Sequence, residues 1–308
     1  MAQGSGVLRE GARRVWRYQR ALWWLFIVNL LTATFSAIPV TSHLGKVTDQ
    51  SVHSQRLANG FDVMAFMELA ANPEVSFWSH TTPTIPFVLI YFVFALFVTG
   101  GILSAYALDR KLTTGEFFQA AGTYFWRWVR LLVHLLIVIT PILILTSIVN
   151  KWSGTLADDA PQEKLGFWVE VAGFLVVIFL AMAVRLWFDM AQIVAVAQKE
   201  RSMWRALGRA RRVTFGHFGS LFWVYFQISL TAWLTLALAL WSWAYMPGSR
   251  AGISFLMFEL LMLWWIGTRL WQRASETVWY ERLTTGLLTL PISHEMVQTT
   301  AEPLPTLR

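Results

Sequence analysis

The chain has 308 residues, of which 56% are hydrophobic and 14% charged, against roughly 45 to 50% and about 25% in a soluble domain. That composition excludes an ordinary water-soluble fold and points to the membrane. With no cysteine, disulfides, thiol catalysis and thiolate metal sites are excluded as well, and a net charge of +7 calls for an anionic partner.

A membrane-spanning helix needs about 20 mostly apolar residues, and six stretches satisfy this. They cover approximately 21–40, 86–108, 131–149, 167–188, 218–246 and 251–272. Before the first lies a basic arm, residues 1–20, with Arg9, Arg13, Arg14, Arg17 and Arg20. The arm and first span resemble a signal peptide, but the span is longer than a signal core and lacks an Ala-x-Ala triplet. It is predicted to stay as an anchor.

The loop 41–84 is too long for a simple connector. It is predicted to form a helical lid, in which Thr48 or Asp49 starts one helix and Asn59-Gly60 ends it. Asp62 then caps a second helix, with Phe61 and Phe66 spaced as a hydrophobic staple. In the second span, Thr99-Gly100-Gly101 permits close approach of a neighbouring helix. A basic segment carrying Arg127 and Arg130 precedes the third span, where His134 reads as hydrogen-bonded packing and Thr140-Pro141 as a kink. Arg185 and Asp189, four residues apart near the end of the fourth span, suit a local ion pair. The clearest amphipathic helix follows. Ser202 stands at its cap position, Met203, Leu207 and Ala210 form one face, and Arg201, Arg205, Arg209 and Arg212 form the other. Residues 273–308 are predicted to begin as a helix and end as a flexible tail.

Basic residues concentrate before the first, third and fifth spans and are sparse in the other loops. By the positive-inside rule, both termini are predicted to be cytoplasmic. The basic residues are interleaved with Trp, Phe and Leu beside spans, so anionic lipid headgroups are the expected partner and nucleic acid is not. Arg13, Arg17, Arg127, Arg130, Arg205, Arg209 and Arg212 are the headgroup candidates. Three basic amphipathic segments lead into spans: 8–24, 113–132 and 199–222. The second and third align at Phe118-Gln-Ala-Ala-Gly122 and Trp204-Arg-Ala-Leu-Gly208, as in a repeated unit.

Polar groups deep in a span are the strongest pointers to function, because an ionisable group there costs about 2.5–3.5 kcal/mol. Glu259, Asn29 and Gln227 all fall near mid-membrane depth, where an amide can bond a carboxylate. Helix packing and a proton- or substrate-linked site are the two readings of Glu259. No HExxH, GxSxG or phosphate-loop pattern occurs. Neither His53, Glu68 and His80 as a zinc set nor His53, Ser54 and Asp62 as a hydrolase has supporting spacing. No catalytic residue, metal or cofactor is expected.

The basic helices before spans, their Ala and Gly pattern, and Thr277-Val-Trp-Tyr280 after the last span resemble the multispanning membrane domain attached to some bacterial glycerophosphodiester phosphodiesterases, and related stand-alone proteins. VHSQRLANGFD (52–62) resembles an outer-loop feature of bacterial proteins of this layout. Those enzymes carry a soluble barrel for which this chain has no hydrophilic length, so the resemblance implies their membrane domain without their catalysis.

The expectation is therefore an all-α polytopic protein of a bacterial cytoplasmic membrane. Its six-span domain covers 1–272, and a C-terminal helix and tail cover 273–308. Its expected role is non-enzymatic, either lipid-interacting or as an accessory subunit bound to another membrane protein. The alternative is a small-molecule or lipid transporter with a midplane site around Glu259.

Overall fold

The computed structural model describes residues 2–48, 64, 84–159, 164–246 and 250–288. Among these, the chain forms eight helices: α1 (Ala2–Arg17), α2 (Arg20–Thr48), α3 (Ile85–Leu108), α4 (Thr114–Asp159), α5 (Lys164–Ala197), α6 (Met203–Gly216), α7 (Phe218–Ala244) and α8 (Ala251–Leu288). Six of them, α2 to α5, α7 and α8, are long and apolar enough to cross a membrane. The chain is an all-helical, multi-pass membrane protein.

Several helices run past their expected ends. Residues 113–132 do not form a separate surface helix before the third span. They are the first turns of α4, which continues through Pro141. Likewise α8 passes through residue 272 without a break. No Gly or Pro interrupts either junction, so the backbone ladder simply propagates. Thr48 is the last described residue of α2, and Asp49, the other predicted helix start, lies outside the described residues. Asn59, Gly60, Phe61, Asp62 and Phe66, and with them the predicted caps and staple, lie outside the described residues, as do His53 and Ser54.

Helix ends follow local chemistry. Asp109 ends α3 in the left-handed region, φ 44°, which Asp tolerates better than most residues. At the start of α4, the Glu116 N–H donates to Thr113 Oγ1 (3.3 Å) and the Thr113 N–H to Glu116 Oε2 (2.8 Å). This is a reciprocal capping box, readable in TTGE but not anticipated. Lys199, φ 50°, ends α5. The Lys199 N–H donates to the Val196 carbonyl and the Glu200 N–H to the Ala195 carbonyl, the double bond of a Schellman motif. Ser202 does stand at the α6 cap, but its hydroxyl makes no capping bond; its N–H donates instead to Glu200 Oε1 at 3.4 Å.

Burial is concentrated at one end of the bundle. The buried stretches are Val98–Tyr106 of α3, Phe117–Leu131 of α4, Ala183–Val196 of α5, Leu221–Ala232 of α7 and Ile266–Tyr280 of α8. Because successive spans are antiparallel, these segments all fall at the end where α1 and α6 pack, termed here the basic end. The opposite halves carry exposed Ile144, Phe174, Leu238 and Leu256, which suits contact with acyl chains. The apolar face of α6, Met203, Ala206, Leu207 and Ala210, is buried in the same core as Ile193 and Val194 of α5. It therefore packs on the bundle and is not left to the lipid, while Arg205, Arg209 and Arg212 are exposed.

The N-terminal arm is stapled to the C-terminal half of α8. Trp271 Nε1 donates to the Leu8 carbonyl (2.8 Å), and Arg14 makes a two-pronged pair with Glu281 at 2.9 and 2.6 Å. The helices meet at Gly11, where an added Cβ would come within 2.8 Å of the Ser275 backbone nitrogen and 2.9 Å of its Cα. A hydroxyl can rotate away, but a helix backbone cannot. Gly11→Ala is thus expected to lift α1 off α8 and cost about 1–3 kcal/mol. Limited proteolysis should release the arm from this variant and spare it in the wild type; equal rates would show that α1 is held elsewhere.

Candidate functional site

On α8, Arg269, Gln272, Arg273 and Glu276 recur at i, i+3, i+4 and i+7, which places them on one helical face. On α5, Arg185 and Asp189 share a face at i, i+4. Packing of α8 among α2, α3, α5 and α7 brings these faces together. Arg185 donates to Gln272 Oε1 (3.3 Å), and Gln272 Nε2 donates to Glu276 Oε1 (3.0 Å). The expected Arg185–Asp189 ion pair is present at 3.6 Å, and the Arg185 guanidinium also lies over the Tyr225 ring, 5.4 Å from its centroid. Arg273 donates to Thr99 Oγ1 (2.9 Å). That hydroxyl in turn donates a hydrogen bond to the Ala95 carbonyl at 2.7 Å.

Arg185, Asp189, Gln272, Arg273 and Thr99 border a cavity of about 460 Å³ between α2, α3, α5 and α8. Its polar part consists of Arg185, Asp189, Arg269, Arg273, Gln272 and Thr99. Leu25, Phe92, Leu96, Met262 and Ile266 supply apolar walls, and Asn29 joins them. A second cavity of about 420 Å³ lies between α5, α7 and α8. Arg185, Trp265, Arg269 and Gln272 border both.

Charge in the cavity is unbalanced. Three guanidiniums face one lining carboxylate, Asp189. Glu276, immediately behind, adds a second, with Oε2 buried and without a hydrogen-bond partner. Arg273 hydrogen-bonds only a neutral hydroxyl among the described residues, and Arg269, which is exposed, makes no hydrogen bond or ion pair with any of them. Such an excess of positive charge along one cavity wall attracts an anion.

The three mid-membrane candidates do not assemble. Asn29 lines the first cavity, whereas Glu259 and Gln227 line neither. Glu259 is half-buried and bonds no described residue, and Gln227 Oε1 is buried without a partner. The amide-carboxylate contact expected from equal depth is therefore absent, because depth says nothing about which way each residue faces around its helix. Arg269 borders both cavities and is exposed. His134 behaves as expected: Nδ1 lies 2.6 Å from the Arg130 carbonyl, and its ring packs edge-on against Trp204.

The headgroup candidates divide into two sets. Arg17 pairs with Asp109 (3.0 Å), Arg13 lies 3.7 Å from Glu10, and Arg209 lies 3.2 Å from Glu200. Arg127 donates to the Glu200 carbonyl and lies over Tyr124. Arg130, Arg205 and Arg212 are exposed and pair with no described residue. Hydropathy ends the last span at 272 and so does not single out Gln272, Arg273 and Glu276. Their signal is a polar residue every three or four positions in TRLWQRASE (268–276), in register with the span before it.

Compared with known proteins, the chain matches no family model, no curated protein and no solved structure.

Proposed function

We propose that the chain is a non-enzymatic, lipid-interacting protein of a bacterial cytoplasmic membrane, with the basic end and both termini on the cytoplasmic side. The observation that carries this reading is the two-sided character of the cavity between α2, α3, α5 and α8. Arginines line one part of it, and Leu25, Phe92, Met262 and Ile266 line another. A lipid has the same division between head and chain. Arg130, Arg205 and Arg212 at the basic end support the orientation, since cationic side chains beside spans favour the anionic cytoplasmic leaflet.

The protein purified natively in a mild detergent should retain phospholipid at about one molecule per chain, detectable by native mass spectrometry. Complete loss of lipid with the fold intact would overturn the proposal. Transport is the second reading. It draws on the shared border of the two cavities, which would centre a substrate on Arg185 and Arg269 and not on Glu259. Substrate flux into liposomes that carry the protein would favour it.

A further inference from the structure

We infer that the arginine-lined cavity is a phosphate site, filled by the headgroup of an anionic lipid held on Arg269 and Arg273 with Arg185 beside them. The inference rests on the lipid-binding reading and narrows it to a ligand class.

Three features lead to it. The first is charge. The lining groups carry three guanidiniums and one carboxylate, and adding Glu276 still leaves one cation in excess. A neutral ligand would leave that excess in place, and a zwitterionic headgroup would bring a new cation with no free carboxylate among the lining groups to meet it, since Asp189 already faces Arg185.

The second is donor supply. A guanidinium has five N–H donors in a fixed planar fork that matches phosphate oxygens. Arg273 spends one donor on Thr99 and Arg269 spends none within the described protein. Arg185 is committed to Asp189 and Gln272, so it contributes field more than new bonds. The third is the wall. A free phosphate ion would fill the polar part and leave Phe92, Met262 and Ile266 without an occupant, whereas a lipid covers both.

The test uses the full chain in mild detergent with three probes: phosphatidylglycerol, phosphatidylcholine and inorganic phosphate. Phosphatidylglycerol should raise the melting temperature and survive in native mass spectra, with phosphatidylcholine bound at least about tenfold more weakly, the effect of one lost charge-assisted contact. Arg269→Gln should remove that selectivity while leaving the melting temperature of the lipid-free protein unchanged, because Arg269 supports no internal contact. Arg269→Lys should restore part of it, since charge returns without the fork.

Equal retention of the two lipids by the wild type, or unchanged selectivity in Arg269→Gln, would overturn the phosphate site while leaving lipid binding in place. No retention of either lipid would overturn the lipid-binding reading itself. Inorganic phosphate stabilising the protein as strongly as phosphatidylglycerol would overturn the lipid as source and assign the site to a soluble phosphate compound.

Discussion

Glu281→Ala is expected to destabilise the bundle by about 3 kcal/mol, more than Arg14→Met, although the two variants remove opposite halves of one ion pair. The difference follows from burial. The Arg14 side chain is 8% exposed and that of Glu281 35%. Arg14 donates to the Tyr106 carbonyl (2.7 Å) and to both Glu281 oxygens, with Asp109 3.7 Å from its Nε. Burial alone would lower the Arg14 pKa, but the hydrogen bonds and charge of Glu281, with help from Asp109, hold it above its ordinary value.

Without Glu281, a buried guanidinium keeps only a carbonyl and a carboxylate beyond hydrogen-bond range. Without Arg14, the part-exposed carboxylate takes up water, the Tyr106 carbonyl keeps the Asp109 N–H (3.3 Å), and methionine fills most of the arginine stem's space. That change should cost about 1 kcal/mol. Thermal unfolding of both variants in one detergent decides the matter. The reverse order would mean that Arg14 contributes through packing and not through its charge.

Gly101→Leu is expected to force α3 away from α4 and to be strongly destabilising. A Cβ at Gly101 would stand 2.8 Å from the Phe117 ring and equally close to the Phe117 carbonyl oxygen. The carbonyl belongs to the α4 backbone. The ring is caught edge-on against Trp24 at 5.1 Å and against Phe118, so neither group has room to give.

Gly101→Ala alone should cost about 1–3 kcal/mol, and leucine more than that. Gly122→Ala is the control. An added Cβ there meets nothing within 4 Å, so the gain in helix propensity, about 0.8–1.0 kcal/mol, should appear as a small stabilisation. Melting temperatures that fall alike for alanine at 101 and at 122 would refute the close-approach argument.

Where the sequence was legible, the reason is that a single helix decides the matter alone. Hydropathy located six spans, since each must satisfy its own backbone inside the bilayer. Thr99-Gly100-Gly101 announced a close contact, and α4 makes it at Phe117 and Tyr124. Met203, Leu207 and Ala210 sorted onto the buried face of α6, and Arg205, Arg209 and Arg212 onto the other, because an amphipathic period is a property of one helix. The i, i+4 spacing of Arg185 and Asp189 likewise needs no partner helix to be read.

Relations between helices were decided only by the tertiary structure. Hydropathy has no term for rotation about a helix axis, so Glu259, Gln227 and Asn29 were matched by depth although only Asn29 faces the cavity. Charge misled at the end of the last span: Arg269, Arg273 and Glu276 look like the polar boundary of a membrane segment when α8 is taken alone. Packed against Arg185 and Asp189 of α5 and Thr99 of α3, Arg273 and Glu276 are drawn into the bundle, while Arg269 borders the cavity and stays exposed. Composition alone determined that this chain crosses a membrane; the packing of α8 against its neighbours determined where its uncompensated charge resides, because a cation takes its meaning from partners on other helices.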